Sequence, residues 1–284
     1  MRTVVLDPGH GGKEPRSLST PFGVRGPCGT QEKEVTLALA RRVRARLEPH
    51  LRVHLTRDGD CNLSLEERAA LARRLGASAF VSLHANEGRP GERGCETWVH
   101  PRAAPPSRAL AGQVQRALAR VIGHGRGVKS GGLSLLDPSR LGSSTDACLV
   151  ELDYLTDRAA ERRLRDGTAL DAIASALAGA VREHVERSER YGKTLARVLS
   201  APQPSPCAHR YELAKSALPS AMALVKQHLA SVAGTKPSLI IRTNEIPASG
   251  EVDVAIHLHG YSGDGPSMSL LNKEPFSGLD FVDP

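Results

Sequence analysis

The chain has 284 residues, and its 40% hydrophobic and 24% charged content is typical of a globular protein rather than a disordered or fibrous one. The formal net charge of +7 favours an acidic partner such as nucleic acid, an anionic membrane or an anionic cell-wall polymer, although an Arg-rich composition explains the charge equally well. The cysteines are odd in number and lack CxxC spacing, which argues against a disulfide framework or a zinc knuckle: Cys28, Cys61, Cys95, Cys148 and Cys207.

The amino-terminal segment "MRTVVLDPGH" leads directly into a strand-like run. It has no charged region followed by an apolar one, so we expect no signal peptide. Because no apolar stretch approaches the roughly 20 residues that span a bilayer, we also expect no integral membrane segment.

Residues 1–186 alternate between strand and helix patterns. "TVVLD" is a short buried-strand run, and a loop rich in Gly and Pro follows it. Thr30 is the expected N-cap of the next helix, whose first turn carries Glu32 and Glu34. Its apolar residues recur at helical spacing: Val35, Leu39, Val43 and Leu47.

The same alternation continues along the chain. "LRVHLT" is a predicted strand, and "NLSLEERAALARRLG" is a predicted helix with Ser64 and Glu67 at capping-box spacing and Gly76 as its stop. Predicted strands "AFVSL" and "CETWV", a helix "SRALAGQVQRALARVI", a strand "CLVEL" and a closing helix "TALDAIASALAGAVREHV" follow, while "GVKS" and "LSLL" are too short to assign. This order predicts an α/β fold with a mostly parallel sheet and helices on both faces.

The regular alternation of strand and helix patterns ends after residue 186. "APQPSP" predicts a stiff, extended linker within 188–206, and residues 207–284 form a small α+β appendage. "ELAKSALPSAMALVKQHLASVAG" predicts a helix interrupted at Pro219, and "SLIIRT" and "VDVAIHLHG" predict strands.

The segment "VAIHLHGYSGDG" resembles the oxyanion loop of α/β-hydrolases, so the appendage is a candidate partial domain of that kind. No G-x-S-x-G nucleophile elbow follows, which makes a serine-type esterase the weakest hypothesis. His257 and His259 share one side of the strand, an arrangement also compatible with metal binding. We favour an ordinary appendage, and wall binding stays open.

Four polar residues lie at the start or the end of predicted elements, or just after them, at one edge of the sheet. His10 and His84 come just after strands, Glu151 ends another, and Glu32 starts a helix. Because sites in such sheets form at the carboxyl ends of the strands, we expect these four side chains to meet.

Two imidazoles and one carboxylate are a common ligand set for a hydrolytic Zn²⁺ that keeps one position open for water. Glu151 would act on that water, and Asp7 is a candidate partner that orients a histidine ring. Each residue also has an ordinary structural explanation, since a loop histidine, a helix-capping glutamate and a salt-bridged glutamate are all frequent. No HExxH motif is present, so the ligands would come from separate segments.

Five blocks, "VVLDPGHGG", "EKEVTLALARRVRARL", "VHLTRDGDCNLSLEERAALARRLGASAFVSLHAN", "GCETWV" and "LVELDYLTD", resemble in order and spacing the zinc-dependent N-acetylmuramoyl-L-alanine amidases of the type 3 family, over about residues 2–186. The resemblance implies a six-stranded α/β catalytic domain at 1–187. It also implies cleavage of the amide between N-acetylmuramic acid and L-alanine in peptidoglycan. By resemblance, His10, Glu32 and His84 are the zinc ligands and Glu151 is the catalytic glutamate.

The resemblance has two departures. Asp153 precedes Tyr154 in "ELDYLTD", where the family commonly has Gly followed by an aromatic residue, so packing near Glu151 is expected to differ. The segment between His84 and Glu151 is too short for the long inhibitory helix of some relatives, so we expect an open groove that needs no activator.

Secondary roles are less specific. Lys33 and Arg57 are candidates for binding substrate carboxylates, with surface salt bridges as the alternative. Cys28 lies between two candidate ligands, but a loop thiol is the simpler interpretation. The partner is then peptidoglycan rather than nucleic acid, at a periplasmic or extracellular cell wall reached by an unknown route. A non-catalytic peptidoglycan-binding module is the alternative function.

Overall fold

The computed structural model of the chain describes residues 2–89 and 91–200 together with three strands of the carboxyl-terminal region. The strands of the first sheet are β1 (Thr3–Pro8), β2 (Arg52–Leu55), β3 (Ala79–Asn86), β4 (Cys95–Val99), β5 (Gly125–Ser130) and β6 (Asp146–Tyr154). The helices are α1 (Glu32–Leu47), α2 (Leu65–Arg74), α3 (Pro105–Ile122), α4 (Pro138–Leu141), α5 (Arg158–Arg165) and α6 (Gly167–Ser200), with a 3₁₀ turn at Ser134–Leu136.

The six strands form one sheet in the order β2-β1-β3-β6-β4-β5. All neighbours are parallel except β4 and β6, which are antiparallel. The predicted α/β class and mostly parallel sheet are therefore confirmed. The short segment "GVKS", which the sequence left unassigned, belongs to the edge strand β5.

Helices cover both faces of this sheet, as predicted. On one face, buried residues of α1, α3 and α6 pack against the inward residues of the central strands, among them Val4, Leu6, Val81, Val150 and Leu152. The other face carries a smaller cluster with α2, the 3₁₀ turn and α4: Val5, Ala69, Ala72, Phe80, Leu135, Leu136, Leu141 and Leu149. Because successive residues of a strand point to opposite faces, each central strand contributes to both clusters.

The N-cap predicted from the sequence is confirmed for α2 and is wrong for α1. Ser64 caps α2. Its Oγ accepts from the Glu67 N–H at 3.2 Å, and the Glu67 carboxylate accepts from the Ser64 N–H. The N-cap of α1 is Gln31 rather than Thr30. Thr30 stays in the preceding loop because its N–H donates to the Glu161 carboxylate.

The carboxyl-terminal region differs from the expected linker. The chain divides into two compact units after Arg187, but α6 continues to Ser200, so the first part of the expected 188–206 linker is helical. The run "SERYGKTLARVLS" lacks Pro and is rich in good helix formers, whereas "APQPSP" lies outside the described residues.

Three strands of the second unit form an antiparallel sheet in the order β7-β9-β8: β7 (Arg210–Ala214), β8 (Ser238–Thr243) and β9 (Glu251–His259). The expected strands "SLIIRT" and "VDVAIHLHG" are present. The start of the predicted helix, "ELA", lies in β7, and the rest of that helix, including Pro219, is outside the described residues.

A buried charge pair ties the first three strands to α2. Asp7 on β1 accepts from Arg68 Nη1 at 2.8 Å, Thr56 Oγ1 at 2.5 Å and Ser82 Oγ at 2.7 Å. Both members of the pair are almost completely buried. Burial raises the pKa of Asp7, but the charge of Arg68 and the three hydrogen bonds outweigh it and hold the pKa below its usual value.

Removing one partner of this pair should be costly because the other charge stays buried without compensation. We expect Arg68→Met to lower the free energy of unfolding by about 3–5 kcal/mol. The double variant Asp7→Asn/Arg68→Met should lose less than the sum of its two single variants. Urea unfolding followed by the fluorescence of the only tryptophan, Trp98, measures this first domain selectively.

Arg41→Met is the matched control, since Arg41 pairs with Asp58 on the surface, where both side chains are about half exposed. Its free energy of unfolding should change by no more than about 0.5 kcal/mol. An Arg68→Met variant as stable as this control would contradict the assigned role of the buried pair.

Candidate active site

Glu32 places a buried carboxylate between two histidine rings. It is the first residue of α1, and its side chain is 2% exposed. Oε1 accepts from the Ala85 N–H at 2.9 Å and lies 2.9 Å from His84 Nδ1. Oε2 accepts from the Val24 N–H at 2.8 Å and lies 3.2 Å from His10 Nε2. The two backbone donors therefore fix the carboxylate against both rings.

The backbone at His10 is in the left-handed region, with φ of 60°. Its Nδ1 lies 2.9 Å from the Thr20 carbonyl oxygen and 3.0 Å from Thr20 Oγ1. A carbonyl oxygen can only accept, so Nδ1 carries the hydrogen and the lone pair is on Nε2. Thr20 thus orients the ring so that the free nitrogen of His10 faces Glu32.

Two buried arginines hold the loop that carries His10. Arg57 donates from Nε to the Pro8 carbonyl at 3.0 Å and from Nη2 to the Gly9 carbonyl at 2.9 Å. Arg68 donates to the Pro8 carbonyl at 2.8 Å and to the His10 carbonyl at 2.9 Å. Three consecutive carbonyls are fixed in this way, and the fixed backbone accommodates the positive φ of His10.

The rings also need room, which two glycines provide. A Cβ added at Gly9 would lie 2.4 Å from the His84 ring. At Gly23, whose φ is +65°, a Cβ would lie 2.3 Å from Glu32 Oε2 and 2.7 Å from His10 Cδ2. Only glycine allows the backbone to approach this closely at either position.

His10, Glu32 and His84 each offer one ligand atom, and these atoms all lie within 4.8 Å of one another. The rings meet edge to face with centroids 4.9 Å apart, and their side chains are 17% and 19% exposed. Two imidazole nitrogens and one carboxylate, partly open to water, form the donor set that a catalytic zinc site uses. The residues present therefore fit a divalent zinc ion.

Glu151 lies next to this group across the sheet. In the register of β3 and β6 it pairs with His84, so both side chains project from the same face. Its Oε2 is shielded from solvent and has no hydrogen-bond partner among the described residues. Burial raises the pKa of Glu151 to about 7, the charges of Glu32 and Glu96 act in the same direction, and His84 opposes them. A carboxyl group of this kind can accept and release a proton near neutral pH.

Comparison with known proteins identifies the family. Residues 4–183 match the family described as N-acetylmuramoyl-L-alanine amidase. The chain belongs to this family.

Individual relatives agree with this assignment. LytC of Bacillus subtilis is 31% identical over 179 residues, which are 62% of this chain and 34% of that protein. The probable amidase AmiB of Haemophilus influenzae is 40% identical over 100 residues, which are 34% of this chain and 22% of that protein. The chain thus spans about a third or less of these curated relatives.

The solved structure of the amidase AmiC2 of Nostoc punctiforme superposes with a TM-score of 0.57 and 34% identity, covering 65% of this chain and 97% of that one. The six-stranded fold is therefore that of an amidase catalytic domain. In the described part of the chain, no helix is both long and apolar enough to cross a bilayer.

The amidase domain uses three of the expected secondary residues differently from the predictions. Asp7 does not contact the His10 ring by a hydrogen bond, because its oxygens are taken by Arg68, Thr56 and Ser82. Lys33 donates to the Gly12 carbonyl at 2.8 Å and to Asp60 at 2.9 Å. Arg57 is buried and donates to backbone carbonyls. The alternative of a salt bridge therefore holds for Lys33, which is buried but pairs with the exposed Asp60, and not for Arg57, whose donors bind backbone carbonyls.

The departure at Asp153 has a structural role in this amidase domain. Asp153 is buried and accepts from the Gly94 N–H at 2.7 Å, while its other oxygen binds Arg163 at 2.5 Å. It therefore ties the end of β6 to the start of β4 and to α5. Cys28 is an exposed loop thiol outside the group of ligand atoms.

Sequence reasoning missed Thr20, Arg68 and Glu96. Thr20 lies in a loop without periodicity, so its contact with His10 has no local signal. Arg68 reads as a polar residue of α2 until its burial is known. Glu96 lies in "CETWV", where the antiparallel direction of β4, which the sequence does not show, brings it beside Glu151.

The close approach at Gly9 allows a test in which none of the three ligand residues is substituted. We expect Gly9→Ala to push the His84 ring away and weaken zinc binding by about 10- to 100-fold, as loss of a supporting contact typically does. Competitive titration with a zinc-binding dye measures the affinity.

Gly179→Ala is the control, since nothing lies within 4 Å of a Cβ at that helical position, and its zinc affinity should equal that of the wild type. Equal affinities in both variants would show that the site does not depend on this close approach.

Proposed function

We propose that the chain is a zinc-dependent amidase that hydrolyses the bond between N-acetylmuramic acid and L-alanine in peptidoglycan. The family match supports the reaction class. The observation that carries the mechanism is the unpartnered Oε2 of Glu151 beside the His10, Glu32 and His84 group. A buried carboxylate oxygen without a partner is costly in a purely structural role, so its retention points to chemistry.

His10 Nε2, the Glu32 carboxylate and His84 Nδ1 are the atoms that would hold the ion. When bound, Zn²⁺ lowers the pKa of a coordinated water and polarises a carbonyl oxygen. Thr20 keeps the His10 lone pair directed at the site, and the Val24 and Ala85 N–H groups keep the Glu32 carboxylate in place. The protein therefore supplies ligands whose orientation is fixed before the ion binds.

Glu151 would manage the proton. As a carboxylate it accepts a proton from the attacking water while the new C–O bond forms at the muramoyl carbonyl. It then gives that proton to the amide nitrogen as the C–N bond breaks, so that the products are the muramoyl carboxyl group and the free amine of L-alanine. The raised pKa suits both steps, because the group neither holds nor releases the proton too strongly.

A non-catalytic peptidoglycan-binding module is the second candidate, and the net charge of +7 favours binding to an anionic wall polymer. The complete ligand group together with the unpartnered glutamate supports the enzyme instead. We infer action at the cell wall, periplasmic or extracellular. The partly exposed His10 and His84 rings support a groove that is accessible without an activator protein.

Replacing the proton carrier should separate catalysis from metal binding. We expect Glu151→Gln to lower kcat by about 10²–10⁴-fold on purified peptidoglycan, because the amide cannot accept the proton. Bound zinc should stay at the wild-type level. Free amino termini of released L-alanine peptides provide the activity measurement.

Glu66→Gln is the matched control, because Glu66 is exposed on α2 and is not one of the ligand residues, and the kcat of this variant should be unchanged. Full activity of Glu151→Gln would reject the role given to this residue.

Metal dependence should appear both in activity and in stability. We expect a chelator to abolish turnover by the purified chain without any activator, and zinc to restore it. Zinc should also raise the thermal midpoint of the wild type but not of His84→Ala, since a ligand that binds only the folded state stabilises it. Activity that survives exhaustive chelation would refute the zinc assignment.

A further inference from the structure

A second buried carboxylate lies beside Glu151. Glu96 on β4 pairs with Glu151 in the antiparallel register, so the two side chains project from the same face of the sheet. Its Oε1 accepts from Trp98 Nε1 at 3.0 Å and Asn86 Nδ2 at 3.1 Å. The residue is 3% exposed. Glu96 is therefore a fully bound anion and has no spare capacity for a proton-transfer role.

Two cations from β5 share the other oxygen of Glu96. Arg126 Nε lies 3.2 Å and Lys129 Nζ 2.5 Å from Oε2. Each cation also lies over an aromatic ring, with Arg126 5.1 Å from the Tyr154 centroid and Lys129 5.3 Å from the Trp98 centroid. Aromatic faces and a buried carboxylate thus hold both long side chains in defined positions.

This cluster has an excess of positive charge at the surface. Two cations share one carboxylate, and their side chains remain 37% and 34% exposed. Of the acids nearby, Asp153 is paired with Arg163, whereas Glu92 accepts from the neutral Arg89 N–H and keeps its negative charge. A guanidinium and an ammonium with free donors can bind a further carboxylate.

We propose that Arg126 and Lys129 bind a carboxylate on the peptide stem of the substrate, carried by the residue that follows L-alanine. This inference rests on the proposed function, because it assigns a subsite of the same site. The order of groups across the sheet supports it. The ligand group lies just after β1, at the start of α1 and on β3. Glu151 lies on β6, and the cations reach Glu96 on β4.

The reacting groups of the substrate follow one another in the same order as these protein groups do across the sheet. Its carbonyl would lie at the ligand group, its nitrogen would receive the proton from Glu151, and its peptide continues beyond that nitrogen. Neighbouring strands lie about 4.8 Å apart, and an extended peptide advances about 3.3–3.6 Å per residue. One strand beyond Glu151 is therefore within reach of the first or second residue of the leaving peptide. A free carboxylate there would meet the two cations.

The test uses two soluble substrates that differ in one group. Both are N-acetylmuramoyl tripeptides with L-alanine, a γ-linked D-glutamyl residue and L-lysine, and the α-group of the second residue is either a carboxylate or a carboxamide. We expect the wild type to prefer the carboxylate substrate by about tenfold in kcat/KM, mainly through KM, as one lost charge-assisted contact would give.

The variant Arg126→Gln/Lys129→Gln should lose this preference. Its kcat/KM should fall about tenfold on the carboxylate substrate and less than about twofold on the carboxamide substrate. Arg126→Lys, which keeps the charge, should retain most of the preference. Arg102→Gln is the control, since Arg102 pairs with Asp137 at the opposite end of β4, and it should behave as the wild type.

A binding measurement keeps the inference independent of turnover. Calorimetry of Glu151→Gln with each substrate should show the same tenfold preference, and adding the two Gln substitutions should remove it. Equal affinities of Glu151→Gln for the two substrates, or equal losses on both substrates in the Gln variants, would overturn the subsite. No cleavage of either substrate by the zinc-loaded wild type would instead overturn the proposed function.

Discussion

The site depends on two buried guanidinium groups that hold the backbone after β1. Arg57 and Arg68 together bind the carbonyls of Pro8, Gly9 and His10. Buried carbonyls need donors, and the two guanidinium groups supply them here. Asp7 forms an ion pair with Arg68 and so compensates one of the two positive charges. The position of His10 is thus set by buried groups that bind its backbone and not its ring.

The rest of the site follows from sheet topology. Parallel neighbours bring the ends of β1, β3 and β6 to one edge, and the single antiparallel strand brings the beginning of β4 to the same edge. His84, Glu151 and Glu96 therefore form a row across three adjacent strands: a candidate metal ligand, the proposed proton carrier and a fully hydrogen-bonded anion. On the same face, the earlier residues of β1, β3 and β6 are apolar and pack against α2 and α4. The polar groups are therefore confined to the edge of the sheet where these strands end.

Much of this arrangement was accessible from sequence because it is coded locally. Strand runs, the Ser64 capping box and the periodic face of α1 predicted the fold, and the rule for strand ends placed the four principal residues together. Contacts across long sequence separations were not accessible. Arg68 reads as an ordinary helix residue, Thr20 lies in an irregular loop, and Arg57 in "LTRD" was expected at the surface but is buried. The antiparallel direction of β4 has no local code, so Glu96 and its cations were missed.

In our proposal, three side chains distant in sequence share one divalent ion. Anomalous diffraction from a zinc-soaked crystal, recorded on both sides of the zinc absorption edge, tests it directly. We expect one strong peak in the catalytic domain, bounded by His10 Nε2, the Glu32 carboxylate and His84 Nδ1. A peak held by other residues, or no peak under saturating zinc with Glu32 still bridging both rings, would contradict it.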